Sequence, residues 1–333
     1  MAATIYDIAR QAGVSSSTVA RVLRGDTKGD RKDSAERAAR IRQIAQNLGY
    51  RPNLRARAFS EQRTRGVGLL YTDDSWVFEG VNDKVIQGLV QQLRKHEYHL
   101  LLLPIDDGGE WEDVVLGGHV DGCVTFQFLP EAVRAGIRDT SLPCVLLGDN
   151  SDPELPHIVV DDVGGAYTAT RHLISLGHRR IGLYFHHTIK PHCSVPQRRE
   201  GYENAMREEG LQPQIWHCGE DEMMAALIRK SDRPTGLICY SDLESTLIRH
   251  ATWQYGMNIP GDLSLIGFND KFATKYMTPP LTTVGFDANQ IGADGAQMII
   301  HSLNGNNSQD NGHRKAVTIK TQLIVRGSTA APA

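Results

Sequence analysis

From residue 66 onward the chain repeats one local pattern: a short β-rich run, then a stretch of helical periodicity, then another run. Runs at 66–71, 100–104, 122–126, 143–147, 158–160 and 181–185 are interleaved with helical segments, clearest at 85–95 and 164–176. The pattern resumes with a helix at 199–209, strands at 236–239 and 264–267, and a helix between those two. Strand and helix in alternation mean βαβ units, in which crossover helices cover both faces of a parallel sheet. Residues 66–333 fit two doubly wound lobes better than one, with a ligand cleft at the C-terminal ends of the strands.

The first 25 residues follow different rules. Ile5, Ile8, Ala9 and Ala12 recur at helical spacing, and Thr4 with Asp7 has the spacing of a capping box. Gly13 breaks that helix where a positive φ is needed, and Ser15 is a good cap for a second helix whose apolar face is Val19, Val22 and Leu23. Two short helices joined by a tight turn, the second rich in Ser, Thr and Arg, read as a helix-turn-helix. A polar loop at 26–33 and a third helix from about 34 to 48 follow, the latter striped by Ile41, Ile44, Ala45 and Leu48. Gly49 stops it and Pro52 forbids easy continuation. Residues 53–60 are short, basic and helix-prone, a linker expected to fold on contact with DNA.

Charge separates the same two regions. Residues 1–65 hold 14 Lys/Arg against 6 Asp/Glu, which leaves 22 against 33 for the rest of a chain whose net charge is −3. A basic module on an acidic body suits a polyanion bound at one end only. The five cysteines are odd in number and form no CxxC pair, so buried reduced thiols are expected. The chain begins directly in an amphipathic helix and has no apolar run of membrane-spanning length, so the expected location is the cytoplasm.

The motifs resemble the LacI/GalR family of transcriptional regulators along nearly the whole chain. Those that carry the resemblance are Tyr6-Asp-Ile-Ala-Arg-Gln-Ala-Gly-Val-Ser-Ser-Ser-Thr-Val-Ala-Arg-Val-Leu23 and Leu48-Gly-Tyr-Arg-Pro-Asn53 at the start. In the body they are Val120-Asp-Gly122, His172-Leu-Ile-Ser-Leu-Gly-His-Arg-Arg-Ile181, Arg198-Arg-Glu-Gly-Tyr202, Ile259-Pro-Gly-Asp-Leu-Ser-Leu-Ile-Gly-Phe268, Pro279-Pro-Leu-Thr-Thr-Val284 and Leu323-Ile-Val-Arg-Gly-Ser-Thr329. The resemblance implies a helix-turn-helix domain at 1–50, a hinge at 51–65 and a two-lobed body at 66–333 like a periplasmic binding protein. Its lobes would comprise about 66–160 with 287–315, and about 161–286 with 316–333. It implies a regulator, with repression the commoner sign, that binds a near-palindromic operator as a homodimer. A sugar, sugar acid or similar effector would sit between the lobes. Neither a metal nor a cofactor is implied, nor any enzyme activity.

The chain departs from the family pattern at several places. Arg24 stands where an asparagine is common, and the loop after the second helix is longer. Phe59 replaces a hinge leucine, Ser241-Asp242 replaces an Asn-Asp pair, and Asn269 replaces the aspartate that faces the effector.

A recognition helix reads bases with side chains near its N-terminus, here Ser16, Ser17 and Thr18 beside Ser15, with Arg21 one turn on and able to chelate a guanine edge. The resemblance places base contact on Ser16 and Ser17 in particular. Thr4, Tyr6 and Asn53 would meet phosphates, as would Arg55 and Arg57 at the linker. Phe59 would serve as an apolar wedge between central base steps when two hinges pair in the minor groove.

At the cleft, Gly66-Val-Gly68 is not completed to a dinucleotide fingerprint, and no phosphate-binding GKS/GKT loop or serine elbow occurs. His186-His187 and His192-Cys193 fit no standard zinc spacing. The resemblance puts His186, His187 and Ser194 on the effector cleft, with Arg198 as the principal contact, since its planar fork suits sugar hydroxyls or a carboxylate. Asn269 opposite it brings no charge, which would leave the cleft more positive and favour an anionic effector. Asp161 and Asp242 are further candidates, and Thr72, Asp73 and Trp76 would close the pocket from the other lobe. The competing classes are a sugar-binding receptor without DNA function and a regulator that answers no effector.

Overall fold

The computed structural model of the protein describes residues 3–24, 32–51, 54–72, 80–105, 109–126, 130–140, 142–228, 232–305 and 315–333. Most of the 26–33 loop, Pro52, Asn53, Asp73, Trp76 and most of the polar stretch 304–312 lie outside the described residues, as does the Arg55 side chain. The chain divides into two compact units, Met1–Thr64 and Arg65–Ala333.

The first unit contains helices α1 (Ile5–Ala12), α2 (Ser16–Arg24), α3 (Lys32–Asn47) and α4 (Leu54–Glu61). The capping box on α1 is formed: the Asp7 N–H donates to Thr4 Oγ1 at 3.3 Å, and the Thr4 N–H donates to Asp7 Oδ2 at 3.0 Å. Gly13 closes α1 in the left-handed region at φ 68°. Ile8, Val19, Val22, Ala38, Ile41 and Ile44 from the first three helices meet in one small core, which aligns α2 against α1 and leaves its polar face outward. The helix-prone linker segment is helical in α4.

The second unit holds two six-stranded sheets. The first is ordered β11-β5-β4-β3-β1-β2, with β1 Gly66–Tyr71, β2 His99–Pro104, β3 Gly122–Thr125, β4 Cys144–Leu147, β5 His157–Val160 and β11 Ala316–Ile319. The second is ordered β12-β10-β9-β8-β6-β7, with β6 Ile181–His186, β7 Gln214–Cys218, β8 Gly236–Cys239, β9 Ser264–Phe268, β10 Thr282–Phe286 and β12 Thr321–Ile324. Every pairing is parallel except β12 on β10. Helices α5 (Asn82–Lys95), α6 (Glu110–Val115), α7 (Glu131–Thr140) and α12 (Ala288–Leu303) belong with the first sheet. Helices α8 (Asp162–Ser175), α9 (Ser194–Glu208), α10 (Glu220–Ile228) and α11 (Asp242–Gln254) belong with the second. β1 and β9 are buried along their whole length, because helices cover both faces of each sheet.

The chain passes between the lobes near Asp161, Asp287 and Lys320. The last passage falls later than the expected boundary at 315/316. One extended run supplies both edges: Ala316–Ile319 pairs with β5 in the first sheet, and Thr321–Ile324 then pairs with β10 in the second. α9 begins at Ser194, five residues before the expected start at 199. Pro196 is its third residue, where the missing N–H would have had no partner within the helix.

Candidate functional site

The N-terminus of α2 is built from hydroxyls. The Thr18 N–H donates to Ser15 Oγ at 3.2 Å, and the Ser15 hydroxyl shares hydrogen bonds of 2.9 Å with both Ser17 Oγ and Thr18 Oγ1. Ser15 is therefore a cap, and Ser17 and Thr18 are tied to it. Ser16 is half-buried, while Arg21 and Arg24 are exposed on the face opposite Val19 and Val22. Thr4 is exposed, with its hydroxyl donating to Asp7 Oδ2 at 2.7 Å. Arg57 is ion-paired along α4, its Nε 3.0 Å from Glu61 Oε1. Two large rings stand in solvent: Tyr6 is 70% exposed and Phe59 89%. An aromatic ring left in water forgoes its burial free energy, so a partner that covers it gains that term.

In the second unit a cavity of about 520 Å³ lies between the lobes. Thr72, Phe126, Gly148 and Val160 line it, from the C-terminal ends of β1, β3, β4 and β5. Tyr240 and Asn269 line it just after β8 and β9, together with Asp162, His192, Ser194, Arg198, Ser241, Glu244 and Lys271. Parallel strands all deliver their following loops to one end, which places the cavity there.

Arg198 is the centre of this wall and is only 6% exposed. Its Nε donates to Asp162 Oδ1 at 2.7 Å, its Nη1 to the Tyr240 carbonyl, and its Nη2 to Asn269 Oδ1 at 3.5 Å. The guanidinium carbon lies 3.6 Å from the Phe268 ring centroid and 4.6 Å from that of Tyr240. A charge so far from water is tolerated because a carboxylate and ring faces replace its hydration.

This arrangement corrects two expectations. The acid for Arg198 comes from Asp162, so replacement of the family's aspartate by Asn269 does not leave the guanidinium without a counter-charge. Asp161, the residue expected in the cleft, instead caps α8 by accepting the Gly164 N–H at 2.9 Å. The N-cap position turns its side chain back onto the helix, and the first helical residue faces the cavity.

Beside Arg198 runs a hydrogen-bonded chain from His192 Nδ1 to Ser194 Oγ at 2.8 Å and from Ser194 Oγ to Tyr240 OH at 2.8 Å. Burial holds the His192 pKa below its ordinary value and raises that of Tyr240, so both are neutral near pH 7. Neutral groups that can each donate or accept suit a hydroxylated ligand.

The turn after β9 is strained, with φ of 105° at Asn269 and 47° at Asp270. Three bonds hold it: the Asn269 N–H to the Val284 carbonyl at 2.7 Å, Arg326 to Asp270 Oδ1 at 2.6 Å, and the Lys271 N–H to Asp242 Oδ2 at 2.8 Å. Asp242, expected as a cleft residue, lies beneath the turn and also accepts from Thr283 Oγ1 at 2.6 Å. Burial pushes its carboxyl up to about 6 despite those two donors. The folded state thus holds this proton more tightly than the unfolded chain. The linked stability is full below the ordinary carboxylate pKa and is lost as pH rises through about 6. The stability of the native chain relative to Asp242→Asn should therefore fall by roughly 1.5 kcal/mol between about pH 5 and about pH 8. Urea midpoints of both proteins at the two pH values check this, and a constant difference would refute it.

His186 and His187 lie outside the lining. β6 ends at His186, whose Nε2 bonds Glu220 Oε2 at 3.0 Å and whose Nδ1 bonds Thr188 Oγ1 at 2.7 Å; the His187 ring lies tilted beside it, the centroids 4.3 Å apart. Edge strand β7 and the start of α10 draw both rings away from the cavity. Among the described residues no group of three or more His, Cys, Asp or Glu could hold a metal, and no helix is long and apolar enough to cross a membrane. Thr72, Ser194, Arg198 and Asn269 were identified from sequence and do line the cavity. Asp162, His192, Tyr240, Glu244 and Lys271 were not assigned there. The available signals were position alone: Tyr240 directly follows β8, Asp162 comes two residues after β5, and Lys271 follows Asn269 by two residues.

A helix-turn-helix unit joined in one chain to a two-lobed, cleft-bearing unit defines the class of ligand-responsive transcriptional regulators. The model of bacterial regulatory proteins of the lacI family matches residues 4–53, and that of the periplasmic binding protein-like domain matches residues 170–329. The HTH-type transcriptional regulator GalR of Escherichia coli (strain K12) is 31% identical over 317 residues, covering 90% of this chain and 88% of GalR. The ribose operon repressor of Haemophilus influenzae is 30% identical over 347 residues, covering 98% of each. The lac repressor dimer bound to operator and the anti-inducer ONPF superposes with a TM-score of 0.82 at 19% identity, over 99% of this chain and 100% of that one. The CelR–cellobiose complex superposes with a TM-score of 0.70 at 22% identity, over 98% and 99%. The chain belongs to the LacI family: it is a DNA-binding transcriptional regulator and not an enzyme.

Proposed function

We propose that this regulator is a homodimeric repressor of the cytoplasm that binds a near-palindromic operator and is controlled by a sugar or sugar derivative in the interlobe cavity. The observation that carries the reading is the cavity wall itself. A buried, charge-compensated Arg198 and the neutral His192–Ser194–Tyr240 chain offer many hydrogen bonds to a hydroxylated ligand. A relative named as a ribose operon repressor and the CelR–cellobiose complex support the ligand class. Ser16 and Arg21 on α2 would read bases, Thr4, Tyr6, Asn53 and Arg55 would meet phosphates, and residues 51–65 would act as the hinge. The effector would act by population shift, favouring one lobe arrangement and with it one state of the hinge.

Fluorescence anisotropy with DNA from upstream of the protein's own gene tests the reading. Tight, salt-sensitive binding that a sugar or sugar derivative releases or strengthens is expected; binding that no such compound alters would remove the effector half. In the same assay Phe59→Ala should weaken operator binding about tenfold and reduce DNA bending, through loss of the wedge. Unchanged affinity and bending would return Phe59 to an ordinary surface ring.

A further inference from the structure

We infer that the effector carries an anionic group, a carboxylate or phosphate on a polyol, and that Lys271 is the residue that selects it. The inference rests on the interlobe cavity being the effector site. It does not rest on Arg198, whose charge Asp162 already answers at 2.7 Å.

Lys271 is half-buried and lines the cavity from the strained turn that also presents Asn269. That turn is fixed on three sides, by Val284, Arg326 and Asp242, so the start of the Lys271 side chain is placed by a rigid frame. The stem reaches toward the other lobe: its Cε lies 4.0 Å from where a Cβ on Gly80 would stand. Among the described residues no carboxylate is ion-paired with the Lys271 ammonium. Among the described residues the acids of the cavity wall and the turn have other hydrogen-bond or ion-pair partners, and the charge of Asp242 beneath the turn also acts on Lys271. Asp162 is paired with Arg198, Glu244 accepts the Ser241 hydroxyl, Asp270 is paired with Arg326, and Asp242 receives Thr283 and the Lys271 backbone N–H.

A lysine half-buried at a cavity wall, with no ion-pair partner among the described residues, offers its ammonium to a ligand anion. Backbone strain held by three separate contacts is the kind of cost retained at binding sites. An anion seated on Lys271 at the Gly80 side would touch both lobes, so the same contact that selects the ligand would favour their closed arrangement.

The test is calorimetry on the full chain with matched sets of hexoses and pentoses: each neutral sugar, its uronate or aldonate, and its phosphate ester. Operator anisotropy is recorded for every compound. At least one anionic compound should bind about tenfold or more tightly than its neutral parent. Lys271→Gln should lose about tenfold in affinity for that compound, Lys271→Glu more, and Lys271→Arg should recover most of it. Thermal melts confirm that the variants fold. The carboxylate and phosphate arms tell which anion is meant. A neutral sugar that binds more tightly than its acid and phosphate overturns the inference but leaves effector control standing if it alters operator affinity. Equal binding of the anion by Lys271→Gln overturns it as well. If no compound binds or shifts operator affinity, both the inference and the reading beneath it fall.

Discussion

Arg198→Met should abolish the effector response and lower the stability of the second unit by about 3–5 kcal/mol, the cost of leaving one partner of a buried ion pair alone. Both side chains of the Arg198–Asp162 pair are at most 7% exposed. Without the guanidinium, the Asp162 carboxylate keeps its desolvation penalty and loses its counter-charge. The faces of Tyr240 and Phe268 lose the cation packed on them, and the Tyr240 carbonyl and Asn269 lose a donor. Urea denaturation checks the stability, and operator anisotropy with the identified effector checks the response. The double variant Arg198→Met with Asp162→Leu should regain much of the stability but none of the response, because the uncompensated charge is gone while the ligand contact is still missing. Loss of stability in the double variant equal to the sum of the two single losses would show that the pair is not coupled.

The second large effect is expected where α5 and α12 cross. A Cβ on Gly292 would stand 1.9 Å from the Val85 carbonyl oxygen and 2.6 Å from the Leu89 nitrogen, and one on Gly88 would stand 2.0 Å from the Asn289 oxygen. Those obstacles are backbone atoms of a packed helix, so the two helices must separate and open the core around Val85, Leu89, Ile291 and Ile299. Gly292→Ala should cost about 3 kcal/mol, at the upper end of overpacking, even though alanine is the better helix former. Gly295→Ala on the same helix meets Leu147 Cδ2 at 2.4 Å, a side-chain tip that can turn aside, and should cost clearly less. Thermal or urea unfolding of the two variants decides the matter. Equal costs would mean that the α5–α12 crossing yields easily.

Comparison of particular residues shows where sequence reading reached the site and where it stopped. Arg198 was legible because it opens the Arg-x-x-Gly-Tyr motif shared with the family and its planar fork suits hydroxyls or a carboxylate. Asn269 was legible because it directly follows the apolar β9. Asp161 is the candidate that directly follows the strand at 158–160, but the helix start makes it the cap and turns Asp162 inward. The resemblance to the family puts His186 and His187 on the cleft. Their actual partners, Glu220 and each other, depend on β7 and α10, elements whose periodicity was too weak to be assigned.

Local regularities were sufficient for the architecture. The capping box at Thr4, the turn at Gly13, the apolar stripes of α1 to α3 and the alternation of strands with helices determined a helix-turn-helix followed by parallel α/β lobes. These depend on spacings of a few residues, which the backbone reads directly. The cavity wall was decided by tertiary structure. Asp162 meets Arg198 across 36 residues, and Asp242 receives Thr283 across 41. The edges of both sheets are completed by one run at 316–324. No local pattern encodes which buried charge faces which, because that pairing is set only when separate elements pack and water is excluded between them.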